Sequence, residues 1–153
     1  MDKDINLYIE NQTEDAKLVY TIGILWSQIS TNLETALSKF DLNIAKFNIL
    51  MIIKHAGGKD GIQQNEISKR LLVTASNITK LLDKLEKDGM ITRNNKENDR
   101  RVKLIVITKK ASELLDKAWK IYQKEVASIT AKIPEKEAKE LNKKLLEWLT
   151  NIK

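Results

Sequence analysis

A chain of 153 residues, 42% hydrophobic and 31% charged, is long enough and apolar enough to close a core without disulfides or a structural metal. It holds no cysteine and one histidine, which excludes disulfides, thiolate metal sites and thiol redox sensing, and leaves nucleophilic triads and zinc sets without partners. The net charge of +6 is concentrated: residues 62–110 hold 12 Lys/Arg against 6 Asp/Glu, residues 1–61 hold 6 against 8, and residues 111–153 hold 9 against 7. A localised basic surface of this kind is the electrostatic footprint expected of a protein that meets a polyanion.

The opening stretch, MDKDINLYIENQTED, is acidic and lacks an apolar core of the signal-peptide type. No apolar run is long enough to span a bilayer, so a cytoplasmic protein without membrane contact is expected. From Glu14 to Phe40, Leu18, Ile22, Leu25, Trp26, Ile29, Leu33, Leu37 and Phe40 keep to one helical stripe. A helix of about 26 residues is about 39 Å long, more than one small core covers, so part of this stripe is expected to meet a second subunit. Asn43 stands where it can cap a second helix, in which Phe47, Leu50, Met51 and Ile53 or Lys54 lead to Ala56 and the breaker Gly57-Gly58. The turn GGKDG is not a phosphate loop, because that motif needs a glycine five positions before its Gly-Lys pair and a hydroxyl residue after it. Ile53 and Asp60 stand there instead.

Ile62 fits a short strand, and Gln64 to Leu71 a short helix that buries Ile67 and Leu71. Leu72 and Val73 then turn into a further helix, with Thr74 as its N-cap and Val73 and Ile78 at the positions of a hydrophobic staple. Ile78, Leu81, Leu82 and Leu85 form its apolar stripe, which leaves Ser76, Thr79, Lys80 and Asp83 on the opposite face. Gly89 supplies a left-handed stop, and Met90 to Asn94 and Lys103 to Thr108 read as two strands around a polar loop. Two short helices joined by a tight turn and followed by a hairpin make a winged helix-turn-helix. Its second helix exposes Ser, Asn, Thr and Lys, groups that can meet base edges in the DNA major groove, while a loop carrying Lys96, Arg100 and Arg101 can reach the adjacent minor groove.

Thr108 caps another long helix, with Leu114, Leu115, Ala118, Trp119, Ile121, Tyr122, Val126 and Ile129 apolar. Pro134 suits the opening of a last one, striped by Ala138, Leu141, Leu145, Trp148, Leu149 and Ile152. Glu135 and Glu137 lie in its first turn, where they suit the helix dipole better than acid–base chemistry. A mainly α fold with a small β-hairpin wing is expected. One intertwined domain would comprise an N-terminal dimerisation helix (residues 1–42), the winged helix-turn-helix (43–108) and C-terminal dimerisation helices (109–153).

The succession QNEISKRL, TASNITKLLDKLEKDGMITR and NDRRVKLIVIT, followed by a long helix, resembles the MarR family of bacterial transcription regulators over essentially the whole chain. The most specific likeness is the wing, where the family's Asp-x-Arg pattern falls on Asp99 and Arg101 and its Leu-Thr closure on Ile107-Thr108. The family's helix ending falls on Lys87, Asp88, Gly89, Met90 and Arg93. The resemblance implies a homodimer presenting two winged domains to a pseudo-palindromic operator. It also implies regulation by a small aromatic or amphipathic ligand bound between the DNA-binding and dimerisation layers. Two positions depart from the pattern: Ala111 where many relatives have glycine, and Gln63 where a Thr or Ser often caps the first helix of the motif.

On this reading Ser76, Asn77, Thr79 and Lys80 face the major groove, Arg100 or Arg101 enters the minor groove, and Asp99 orients a wing arginine. Lys69, Arg70, Lys80, Lys96 and Lys103 meet phosphates. Trp26, His55 and Trp119 are the candidate ligand residues. No cofactor, metal or catalytic group is expected. The competing reading is a winged-helix module that docks another protein, which an apolar outward helix face would favour and salt-sensitive duplex binding would exclude.

Overall fold

The computed structural model describes residue 10 and residues 12–71, 75–96 and 99–152, the side chains of residues 75, 76, 96 and 99–101 excepted. Helix α1 (Glu14–Ser38) begins at Thr13, whose side chain accepts from Ala16 N, and carries Glu14 and Asp15 in its first turn. Only its second half reaches the core, through Leu33 and Leu37, while Leu18, Val19, Leu25 and Trp26 stay exposed. A turn with Asp41 in the left-handed region leads to α2 (Ile44–Ile52), where Asn43 accepts from Lys46 N at 2.8 Å as the spacing predicts. The helix then widens into a π-helical turn, Ile53–Gly57, that the apolar periodicity does not foretell.

Strand β1 (Ile62–Gln63), α3 (Gln64–Leu71), α4 (Ala75–Lys87), β2 (Ile91–Lys96) and β3 (Asp99–Ile107) follow in the predicted order. The antiparallel sheet runs β1-β3-β2, with Ile62 opposite Ile105 and Ile91 opposite Ile107. Gly61, at φ 83, lets the chain pass close to β3: a Cβ there would lie 2.8 Å from Val106 Cγ2 and 3.0 Å from the Ile105 carbonyl. Both wing strands are longer than the sequence reading has them. The backbones of Lys96, Asp99, Arg100 and Arg101 belong to strands rather than to the loop, with a register irregularity between Asn95 and Lys96. Pairing persists because a polar, alternating stretch still satisfies its backbone in a two-stranded ladder, even though the apolar alternation has stopped.

Helix α5 (Lys109–Thr130) is capped by Thr108, which accepts from Ala111 N at 3.2 Å, and packs along α1. Ala111 is buried there, so its methyl is accommodated where the family pattern has glycine. Helix α6 (Glu135–Asn151) starts after Pro134 and buries none of its residues. One continuous core joins Leu37 of α1, Phe47 and Leu50 of α2, Ile67 of α3, Ile78, Leu82 and Leu85 of α4, Ile91 and Ile105 of the sheet, and Leu115 of α5.

Candidate nucleic-acid interface

Helix α4 is seated by its apolar stripe: Ile78, Leu82 and Leu85 are fully buried and Leu81 partly so. Its end is a Schellman turn, with Met90 N donating to the Leu85 carbonyl, Gly89 N to that of Glu86, and Gly89 at φ 69. The opposite face carries Asn77, Thr79 and Lys80, all exposed. Thr79 is not an open hydroxyl: Gln64 Nε2 donates to its Oγ1 at 2.8 Å, tying α3 to α4 across the turn. The proposed Thr74 cap and the Val73 staple lie outside the described residues, as does the side chain of Ser76.

The acidic residues in the second half of α4 and just past its end are paired with cations from other elements. Arg93 of β2 donates to Asp83 Oδ1 and Glu86 Oε2, both at 2.7 Å, which clamps the wing to the helix. Asp88 accepts from Lys46 of α2 at 3.1 Å. The carboxylates that would repel a phosphate backbone are thereby neutralised within the fold. Gln64, Lys46 and the role of Arg93 escape the sequence reading, because partners on other elements, 7 to 42 positions away, leave no local signature.

Lys69 and Arg70, both exposed at the end of α3, share Glu66, at 2.9 and 3.2 Å. The hydrogen bond from Lys69, then that from Arg70, holds the Glu66 carboxyl below its ordinary pKa. Lys103 reaches directly across the wing to Asn95 Oδ1 at 2.5 Å. The side chains of Lys96, Asp99, Arg100 and Arg101 lie outside the described residues.

A model of the MarR family matches residues 42–103, the segment from the start of α2 through the wing. The regulator Hpr of Bacillus cytotoxicus is 32% identical over 69% of this chain. The chain belongs to the MarR family. It spans about half the length of some of its relatives, 55% of Hpr, and 81% of MhqR of Bacillus subtilis, to which it is 27% identical over 79% of its own length. The structure of an Escherichia coli MarR variant in complex with operator DNA superposes with a TM-score of 0.79 at 25% identity, over 86% of this chain and 93% of that one.

Within this MarR-family fold the three candidate ligand residues do not share a cleft. Trp119 of α5 stacks with Tyr122 at 5.7 Å and with Phe47 of α2 at 6.3 Å, and remains 37% exposed. His55 is exposed on the π-helical turn. Trp26 borders a cleft of about 430 Å³ with Ser30 and Glu34 of α1, Asn48 and Ile49 of α2, Leu71 of α3 and Leu81 of α4, and neither His55 nor Trp119 lines it. Stripe spacing marks an aromatic residue as apolar, but not the neighbour it will stack on.

Proposed function

We propose that this chain is a sequence-specific regulator of transcription that binds double-stranded DNA as a homodimer on a pseudo-palindromic operator and represses until an effector binds. The observation that carries this reading is the condition of α4: a polar face with exposed Asn77 and Lys80, and neighbouring acids that are already neutralised by Arg93 and Lys46. Asn77 and Lys80 enter the major groove together with Ser76. Arg100 or Arg101 enters the minor groove from the wing, with Asp99 orienting it, and Lys69, Arg70, Lys96 and Lys103 hold phosphates.

Dimerisation is supported by apolar surface that a single chain leaves open. Leu18, Leu25 and Trp26 of α1 and Leu141, Leu145, Leu146 and Leu149 of α6 are all exposed. Contiguous apolar surface on two adjacent long helices marks an association face. The arms then hold the two reading helices one DNA turn apart, about 34–36 Å, or a multiple of it. The Trp26 cleft touches the arm and both helices of the turn motif, so an effector seated there shifts their relative angle if it binds the two arrangements unequally. Glu34 is the one ionisable side chain lining that cleft among the described residues, which disfavours a carboxylate and favours a neutral or cationic aromatic compound.

The test is the salt dependence of binding to a duplex that the protein selects from a random-sequence pool. Each phosphate neutralised lowers log K by about 0.9 per decade of salt, so Lys80→Ala should reduce the slope by about that amount and leave the fold unchanged. Salt-insensitive binding, or equal affinity for duplex and a neutral polymer, contradicts the reading and favours a protein-docking module.

A further inference from the structure

We infer that Lys46 is a positioning residue that sets the pitch of the reading helix against the dimer arm, and so fixes which half-site spacing the protein accepts. This rests on the DNA-binding reading above and adds a residue that touches no DNA.

Lys46 is the one charged side chain buried in the core among the described residues, 5% exposed. Its backbone N–H donates to Asn43, and its ammonium donates to the Asp41 carbonyl at 3.3 Å and to Asp88 Oδ2 at 3.1 Å. Asp41 lies in the turn that ends the arm, in the left-handed region at φ 55, and Asp88 is the residue on which α4 closes. One ammonium therefore bridges the end of α1 and the end of α4. A carboxylate at a helix carboxyl end opposes the helix dipole, so Asp88 is unfavourable where it stands unless a cation faces it. Lys46 offsets both the carboxylate and the negative helix end.

Stability alone does not call for such a contact. A hydrophobic pair of similar volume holds a buried position as well as an ion pair does, whereas charge and directed hydrogen bonds select one geometry. The clefts on either side leave room for alternatives. Ser38, Leu42 and Lys84 border one, and Phe40, Met90 and Leu114 the other. Thirteen helical residues span about 20 Å, so a tilt of about 10° about the Lys46 contact moves the reading end by about 3.5 Å, the rise of one base pair.

The experiment compares the wild type with Asp88→Ala, Lys46→Met and Lys46→Arg on a duplex selected by the wild type, and on the same duplex with one base pair added or removed between half-sites. The wild type should lose at least about five-fold in affinity on the altered spacings, as Lys46→Arg should, while Lys46→Met and Asp88→Ala lose under about two-fold, the coupling being of ordinary size between sites. Because the chain has no cysteine, Lys80→Cys admits a single spin label per subunit, and the interprotomer distance can be read without DNA. That distribution should be narrow in the otherwise unchanged chain and broadened by Asp88→Ala, a position 30% exposed. Undiminished spacing discrimination together with an unbroadened distribution in Asp88→Ala overturns the latch, even if Lys46→Met fails to fold. A wild type that selects no duplex overturns the DNA-binding reading and the latch with it.

Discussion

Replacing Arg93 by methionine keeps most of its volume and removes both contacts that hold the wing to α4. Each is a 2.7 Å charge-assisted bond, but the two differ in exposure: the Arg93 side chain is 23% exposed, Glu86 40% and Asp83 56%. A buried charged hydrogen bond contributes about 1.5–3 kcal/mol and an exposed ion pair about 0.2–1. With solvent screening, the Glu86 contact falls between those ranges and the Asp83 contact at the bottom, so Arg93→Met should cost about 1–2 kcal/mol. Equilibrium urea unfolding at fixed protein concentration measures this, with Glu86→Gln and Asp83→Asn alongside. Raising salt from about 0.1 to 1 M shortens the screening length from about 10 to 3 Å, so the Asp83→Asn effect should vanish while part of the Glu86→Gln effect survives. A cost below about 0.5 kcal/mol for Arg93→Met, or a larger cost at Asp83 than at Glu86, refutes the argument from exposure.

Three further outcomes are expected. Gly61→Ala combines a left-handed backbone with a methyl 2.8 Å from Val106 and should destabilise by about 1–3 kcal/mol in the same unfolding assay; an unchanged midpoint contradicts the close approach. Glu66→Gln releases Lys69 and Arg70 and should tighten duplex binding in low salt with little change in stability. The folded pKa of Glu66 is depressed, so its hold on the two cations is complete above its unfolded value and fades as pH falls through the lowered one; on acidification the wild type and Glu66→Gln should converge in affinity, and a gap that persists in acid would refute this. Leu149→Glu places a charge where 65% of the leucine is exposed in a single chain, and sedimentation should then show monomers with undiminished helix content; an intact dimer would move the association face elsewhere.

Much of the fold is legible because its signals are local. Asn43, Thr108 and Gly89 act within a few positions of themselves, and the stripe Ile78, Leu82, Leu85 has a single period. The two helices of the turn motif and the wing follow from such cues in order. What escapes is tertiary. The π-helical turn at Ile53–Gly57 has no periodicity of its own, and the wing strands run past the point where apolar alternation ends. Lys46 carries no signal of its own in the sequence, since Asp88 lies forty-two positions on. The stacking of Trp119 against Phe47 of α2 likewise leaves no local signal. The residues proposed to face DNA are recognisable by type, whereas the contacts that orient their helix are visible only in three dimensions.

The most direct measurement is a footprint of the purified protein on a duplex it has itself selected, at near-physiological salt, with the mass of the complex determined in parallel. Two protected half-sites about 34–36 Å apart, or a multiple of that, with two chains on each duplex, is the predicted result. A single protected patch bearing one chain, or no protection that depends on base sequence, contradicts it.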